Sequence, residues 1–143
     1  MKTLIYENNL PESAKIIRHV VFEQEQGFID EFDETDAMAT HLVMIDDDDS
    51  PVATCRVFWD AQKNTYILGR LAVIKEYRNQ NLGSLIMREA EKHICKTGGK
   101  SIILHAQCQA SGFYQKQGYS QFGDTDDEQG CPHVWMKKSL EKE

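Results

Sequence analysis

The chain has no apolar run near the roughly 20 residues that a membrane-spanning helix needs, and its opening, MKTLIYENNL, has no apolar h-region or small-residue cleavage site. No secretory signal and no membrane association are therefore expected, and the cytoplasm is the expected location. Basic residues are outnumbered: 16 Lys and Arg stand against 23 Asp and Glu, a net charge of −7. No basic patch of the kind that neutralises phosphates is visible, which argues against a nucleic-acid partner. The four cysteines, Cys55, Cys95, Cys108 and Cys131, form no C-x-x-C pair. Cys131 and His133 have no second ligand pair at zinc-like spacing, so no metal is expected, and reduced thiols fit the cytoplasm. There are only three prolines, no Pro/Ser-rich linker and no internal repeat. Residues 1–143 thus read as one domain, long enough for a single core.

What is present is a sequence of strands and helices. Thr3–Glu7 reads as a strand. Leu10–Gln24 reads as a helix, with Pro11 near its start, Ala14, Ile17, Val20 and Val21 at helical spacing, and Gly27 beyond its end. Glu31–Asp36 is an acidic loop or short helix. His41–Ile45 and Val52–Trp59 are strands joined by Asp46-Asp47-Asp48-Asp49-Ser50-Pro51, a solvated turn that lacks the glycine and distal glutamate of a calcium loop. Tyr66–Val73 is a further strand, and Asn81–Thr97 the clearest helix, stopped by Gly98-Gly99. Strand Ser101–Ala106, a short helix near Gln109–Gln117, and strands Tyr119–Phe122 and His133–Lys138 follow. The order β-α-(α)-β-β-β-α-β-α-β-β predicts an α+β fold with a mixed, mainly antiparallel central sheet of about seven strands and helices on both faces.

The chemistry-bearing stretch is the apolar strand Ile67–Val73, a short polar loop, then Arg78-Asn79-Gln80-Asn81-Leu82-Gly83-Ser84 opening the long helix. A helix start leaves backbone N–H groups unpaired at the positive end of the macrodipole and accepts a phosphate well. Asn81 tolerates the left-handed backbone such a loop needs, and Arg78 adds a planar donor fork.

This arrangement resembles the acyl-CoA loop of the GNAT N-acetyltransferase superfamily, Arg/Gln-x-x-Gly-x-Gly/Ala, with Arg78 and Gly83 matching and Asn81 replacing the first glycine. Ser101–Ala106, Gln107 through Phe113-Tyr114, and Gly118-Tyr119 resemble the later segment of the same superfamily. Val21–Gly27, Asp33–Asp36, Ala39–His41, Arg56, Arg70–Val73, Ala106-Gln107 and Gly130–Met136 resemble its YjcF/ElaA-type branch, with Cys131 where isoleucine is usual. The resemblance implies a GNAT fold that uses acetyl-CoA as co-substrate. Leu71, Ala72 and Val73 would offer main-chain groups to the pantetheine, Arg78 to Ser84 would hold the pyrophosphate, and Gln107 and Phe113 would complete the cofactor site. Tyr114 would lie near the thioester sulfur.

The resemblance further implies direct attack by an amine within a ternary complex. A lysine-like amine has a pKa near 10.4, so only about one molecule in a thousand is unprotonated at neutral pH, and supplying the free base costs roughly 4–5 kcal/mol without help. Tyr114 is the general-acid candidate. The base candidates are Glu31, Asp33, Glu34, Asp36, His41, Glu128 and His133, of which His133 and Glu128 are preferred. Asp33, Asp36, His41 and Arg70 are expected on the acceptor side. Arg70 alternates onto the strand face of Leu68 and Ala72, and it or Arg56 should pair with the Asp33–Asp36 cluster, since a lone buried guanidinium is expensive. Cys108 offers a rival acyl-enzyme route, and a non-catalytic acyl-CoA sensor is the alternative function. The acceptor is expected to be a small-molecule or peptide amine, and a homodimer is possible on base rate.

Overall fold

The computed structural model describes residues 1–29 and 31–141; the expectation of one domain through residue 143 reaches two residues beyond them. Seven strands form one sheet: β1 (Lys2–Glu7), β2 (Thr40–Ile45), β3 (Pro51–Asp60), β4 (Thr65–Val73), β5 (Ser101–Gln107), β6 (Ser120–Glu128) and β7 (Cys131–Ser139). Their spatial order is β1-β2-β3-β4-β5-β7-β6. Among the described residues only the β4–β5 pair is parallel; the others are antiparallel.

Helices α1 (Glu12–Arg18) and α2 (Leu82–Lys96) cover opposite faces. Alternation along β2 sorts the core: Val43 and Ile45 pack with Ala14, Ile17 and Val21 of the α1 side, whereas Leu42 and Met44 pack with Ile86, Met87 and Ile94 of α2. A strand buried on both faces reads as a continuous apolar run, as His-Leu-Val-Met-Ile does here. Each large aliphatic side chain so buried contributes roughly 1.5–3 kcal/mol. The third helix, α3 (Ser111–Lys116), rests on α2, and Gly83 allows that approach: a β-carbon there would stand 3.1 Å from Phe113 Cζ.

Three elements depart from expectation. The first helix begins at Glu12, after extended Pro11, and changes after Arg18 into a π-helical turn, His19–Glu25, capped by Gln26 and followed by Gly27 at φ 76. The strand expected at Tyr119–Phe122 runs on to Glu128. Its acidic run pairs with β7 beyond a bulge between Phe122 and Asp126, and the poor strand propensity of aspartate hid it. Finally, β4 does not keep its alternation. Arg56 pairs with Gly69 and Thr54 with Ala72, so β4 carries one residue too many, and Arg70 takes φ 54 there. Leu68 therefore faces the α2 core and Ala72 the α1 core; Arg70 shares a face with Ala72 but not with Leu68. Among the described residues no helix is long and apolar enough to cross a membrane.

Candidate active site

The parallel β4–β5 pairing covers only Tyr66–Ile102, Ile67–Ile103 and Leu68–Leu104. Beyond it β5 stays with β7 and β4 stays with β3, so the two strands separate and the edge of β4 from Gly69 to Val73 has no strand neighbour on that side. The bulge at Arg70 turns β4 away. A cleft of about 360 Å³ fills the wedge, walled by Gly69, Arg70 and Leu71 of β4, by His105 and Gln107 of β5, and by Tyr114 of α3.

At one end of the wedge α2 begins. Asn79 and Asn81 sit at φ 67 and 61, as a left-handed loop requires of its residues, and Asn81 caps α2 with no side-chain hydrogen bond. The first N–H groups of a 15-residue helix, from Leu82 to Ser84, are thus presented at its positive end. Ser84 Oγ accepts a bond from Gln117 Nε2 at 2.8 Å. Arg78 differs from expectation. Its Nε donates to Val73 O at 2.9 Å, tying the loop to the end of β4, and its fork grips Glu25 at 2.6 and 2.8 Å. That bond holds the Glu25 carboxyl below its ordinary range. The backbone, more than a free guanidinium, is what this loop offers an anion. Phe113 packs on Gly83 rather than lining the cleft, while its neighbour Tyr114 reaches in. Burial pushes the Tyr114 phenol above its ordinary range, so it keeps its proton.

At the other end, β6 and β7 bring polar groups together. His133 is buried, and its Nδ1 lies 2.8 Å from Cys131 O, a partner that can only accept; Nδ1 therefore carries the hydrogen and Nε2 is left facing Glu128 Oε2 at 3.4 Å. The same carboxylate oxygen lies 3.4 Å from His105 Nδ1, and His105 Nε2 lies 2.7 Å from Asp126 Oδ1. The two imidazoles are 4.7 Å apart, centroid to centroid. His105 and Asp126 were not singled out from sequence. The period-2 alternation of β5 was the available signal, since it turns His105 away from Leu104 and Ala106 toward the cleft.

Beneath the cleft lies a knot of buried charge. Arg18 donates to Glu31 Oε1 at 2.9 Å and to Asp36 at 2.7 and 3.1 Å; Arg56 donates to Asp36 at 2.8 Å and to Asp33 at 2.7 and 3.1 Å. Arg70 reaches Asp33 at 3.4 Å and Glu31 Oε1 at 2.9 Å. The expected pairing of Arg56 or Arg70 with the acidic segment is present in both arginines. Arg18, which anchors it, went unnoticed because it reads as the solvent-facing residue of a helix end. For Asp36 burial opposes ionisation, but hydrogen bonds from Arg18 and Arg56 outweigh it and hold the carboxyl at about 2. For Glu31 burial prevails over the three arginines and raises the pKa. Of the four residues expected on the acceptor side, the cleft wall holds only Arg70. Asp36 and His41 are buried below, His41 Nε2 lying 2.9 Å from Asp36 O, and Asp33 is turned onto Arg56; Glu31 is the acid of this segment that reaches the cleft.

A strand wedge beside an uncapped helix start is the frame of one acyltransferase fold, and the sequence agrees. Residues 16–140 match the family model described as an acetyltransferase (GNAT) domain. The chain belongs to the GNAT acetyltransferase family. It is 34% identical to YyaT of Bacillus subtilis over 99% of this chain and 97% of that protein. It is 33% identical to the uncharacterized N-acetyltransferase YjcF of the same organism over 96% and 99%. The crystal structure of Escherichia coli ElaA superimposes with a TM-score of 0.85 at 22% identity, covering 96% of this chain and 99% of that one, and so shares the fold. GNAT acetyltransferases draw the acetyl group from acetyl-CoA and deliver it to an amine.

Proposed function

We propose that residues 1–143 act as one acetyl-CoA-dependent N-acetyltransferase domain in which an amine attacks directly within a ternary complex. The observation that carries this reading is the wedge between β4 and β5, opening beside the left-handed cap of α2. The donors fit the group: Leu82, Gly83 and Ser84 N–H suit the pyrophosphate, with Asn79, Gln80 and Asn81 shaping the loop, and the β4 edge from Leu71 through Val73, which no strand covers and of which Arg78 takes the Val73 carbonyl, suits an extended arm with amide groups. Gln107 lies on the facing wall.

Acetyl-CoA supplies the activated acetyl group and the thiolate leaving group. Tyr114, kept protonated by burial, would offer its hydroxyl hydrogen to the departing sulfur. His133 accepts the amine proton at Nε2, since Nδ1 is committed to Cys131 O, and Glu128 at 3.4 Å steadies the imidazolium that forms. Arg70 and the knot beneath it keep β4 bent away from β5.

The test is release of CoA thiol from acetyl-CoA across a broad panel of amines, with a control lacking acceptor. Acceptor-dependent release is the expected result. Release without acceptor would indicate hydrolysis or an acyl-enzyme at Cys108. Binding of acetyl-CoA with no release against any amine would reduce the protein to a sensor and overturn the proposal.

A further inference from the structure

The segment Glu25–Ile29 crosses the open side of the wedge, and three other elements fasten it. Arg78 of the α2 loop grips Glu25, and Gln107 of β5 donates to Gln26 Oε1 at 2.7 Å. Gln129, in the turn between β6 and β7, binds the backbone of Ile29 twice: Ile29 N donates to Gln129 Oε1 at 2.9 Å, and Gln129 Nε2 donates to Ile29 O at 2.7 Å. The third fastening joins residues 100 positions apart in sequence. Gln129 and Gly130, at φ 51 and φ 80, are the two central residues of the tight turn that joins Glu128 to Cys131, which needs positive φ at both.

The clip acts on what lies beneath it. Phe28, next to Ile29, meets His133 edge-on with 6.5 Å between ring centroids, at the end of the cleft where Glu128 and Trp135 also stand. The whole cleft holds about 360 Å³, at the lower end of the roughly 300–1,000 Å³ of pockets for small molecules, and it must take the acetyl-bearing arm as well as the acceptor. Its wall there offers the carboxylate of Glu128 for an ammonium group and aromatic faces for an apolar body.

We infer that Gln129 is a specificity-determining residue: by clipping Ile29 it holds Phe28 over the acceptor end of the cleft and restricts the acceptor to a small free amine with an apolar body, excluding an amine borne on a peptide. A peptide must lead its chain out beside the reacting nitrogen, and the clipped segment closes that side. This inference rests on the transferase reading of the same cleft.

The experiment measures binding and does not depend on turnover. CoA is joined through an acetyl bridge to phenethylamine or to the N-terminal amine of a pentapeptide, and each conjugate, with plain CoA, is titrated calorimetrically into the full chain and into Gln129→Gly. Glycine removes the clip and relieves the left-handed backbone, so the variant folds. The expected result is that the wild-type chain binds the phenethylamine conjugate at least about tenfold more tightly than the peptide conjugate, and that Gln129→Gly narrows the ratio to about threefold or less. Equal affinities in the wild type, or an unchanged ratio in Gln129→Gly, would overturn the inference. Conjugates that bind no better than plain CoA would overturn it as well, while leaving the cofactor site intact. Failure of CoA itself to bind would remove the transferase reading instead. Hydrogen exchange gives a separate readout: the Ile29 amide is expected to exchange faster in Gln129→Gly, and equal protection would show that the clip is not formed in solution.

Discussion

Glu31 and Arg70 meet where β4 breaks its alternation: the carboxylate Oε1 lies 2.9 Å from the guanidinium Nε, and Arg70 also donates to the Glu31 backbone carbonyl twice, at 3.1 Å. The pair holds a non-glycine residue at φ 54 in the middle of a strand. Left-handed backbone costs such a residue about 1–2 kcal/mol. Arg70→Ala keeps that strain and strips Glu31 of a partner, so it is expected to lower the unfolding free energy by about 3 kcal/mol. Arg70→Gly loses the same partner but sheds the strain, and should be about 1 kcal/mol more stable than the alanine variant. Urea denaturation of the two variants measures the difference; if they are equally stable, the bulge is not strained.

Asp36 gives the knot an acid-sensitive edge. Its carboxyl is held at about 2, below the roughly 3.9 of an unfolded aspartate. A depressed value stabilises the fold above about pH 4 and stops doing so as the pH falls toward 2, a change of about 2.5 kcal/mol. Glu31 works the other way: its raised pKa makes ionisation cost stability as pH rises, which offsets part of the gain. Denaturation between about pH 2 and pH 6 should therefore show stability falling on the acid side, and Asp36→Asn should flatten that limb. An unchanged limb in the variant would place the acid sensitivity elsewhere.

Asn81 stands where the family pattern has glycine, at φ 61. Asn81→Gly should leave CoA affinity equal or improved. Asn81→Ala pays the left-handed penalty of about 1 kcal/mol and should weaken CoA roughly fivefold if the loop relaxes to avoid it. Calorimetric titration with CoA decides between a loop whose backbone shape matters and one in which any residue serves.

Tyr114→Phe keeps the ring in its place against Phe113, 5.1 Å between centroids, and removes only the hydroxyl. Turnover should fall by about 10² or more, with CoA affinity within twofold of the wild type. A turnover that hardly changes would mean that the sulfur takes its proton from water.

Much of the fold could be read from periodicity. Six of the seven described strands show themselves in apolar runs and turn residues, which are local signals, and of β6 only the start does; Asn81 fits a left-handed cap because few side chains tolerate one. What was hidden is long-range or irregular. The extra residue at Arg70 shifts every later side chain of β4 by one face, and the one mark of it in Leu-Gly-Arg-Leu-Ala is Gly69, a lone glycine inside a strand pattern. Asp126 and Glu128 sit in a run that looks like a solvated loop, and only pairing with β7 carries them to His105 and His133. His41 and Asp36 have residue types that suggest chemistry, yet their burial makes them braces. Arg18 shows the reverse: a helix-end arginine whose partners lie 13 and 18 residues away cannot be recognised from its neighbours.

The short seam between β4 and β5 has a mechanical consequence. With only three residue pairs joining them, β1–β4 and β5–β7–β6 are two panels that the backbone barely stitches together. Cohesion across the middle falls to side chains of α2, where Ile86, Met87 and Ile94 touch a core drawn from both panels. The helix whose open first turn is proposed to hold the pyrophosphate is therefore also the spine of the molecule, and a group gripped at its tip would pull on both panels at once.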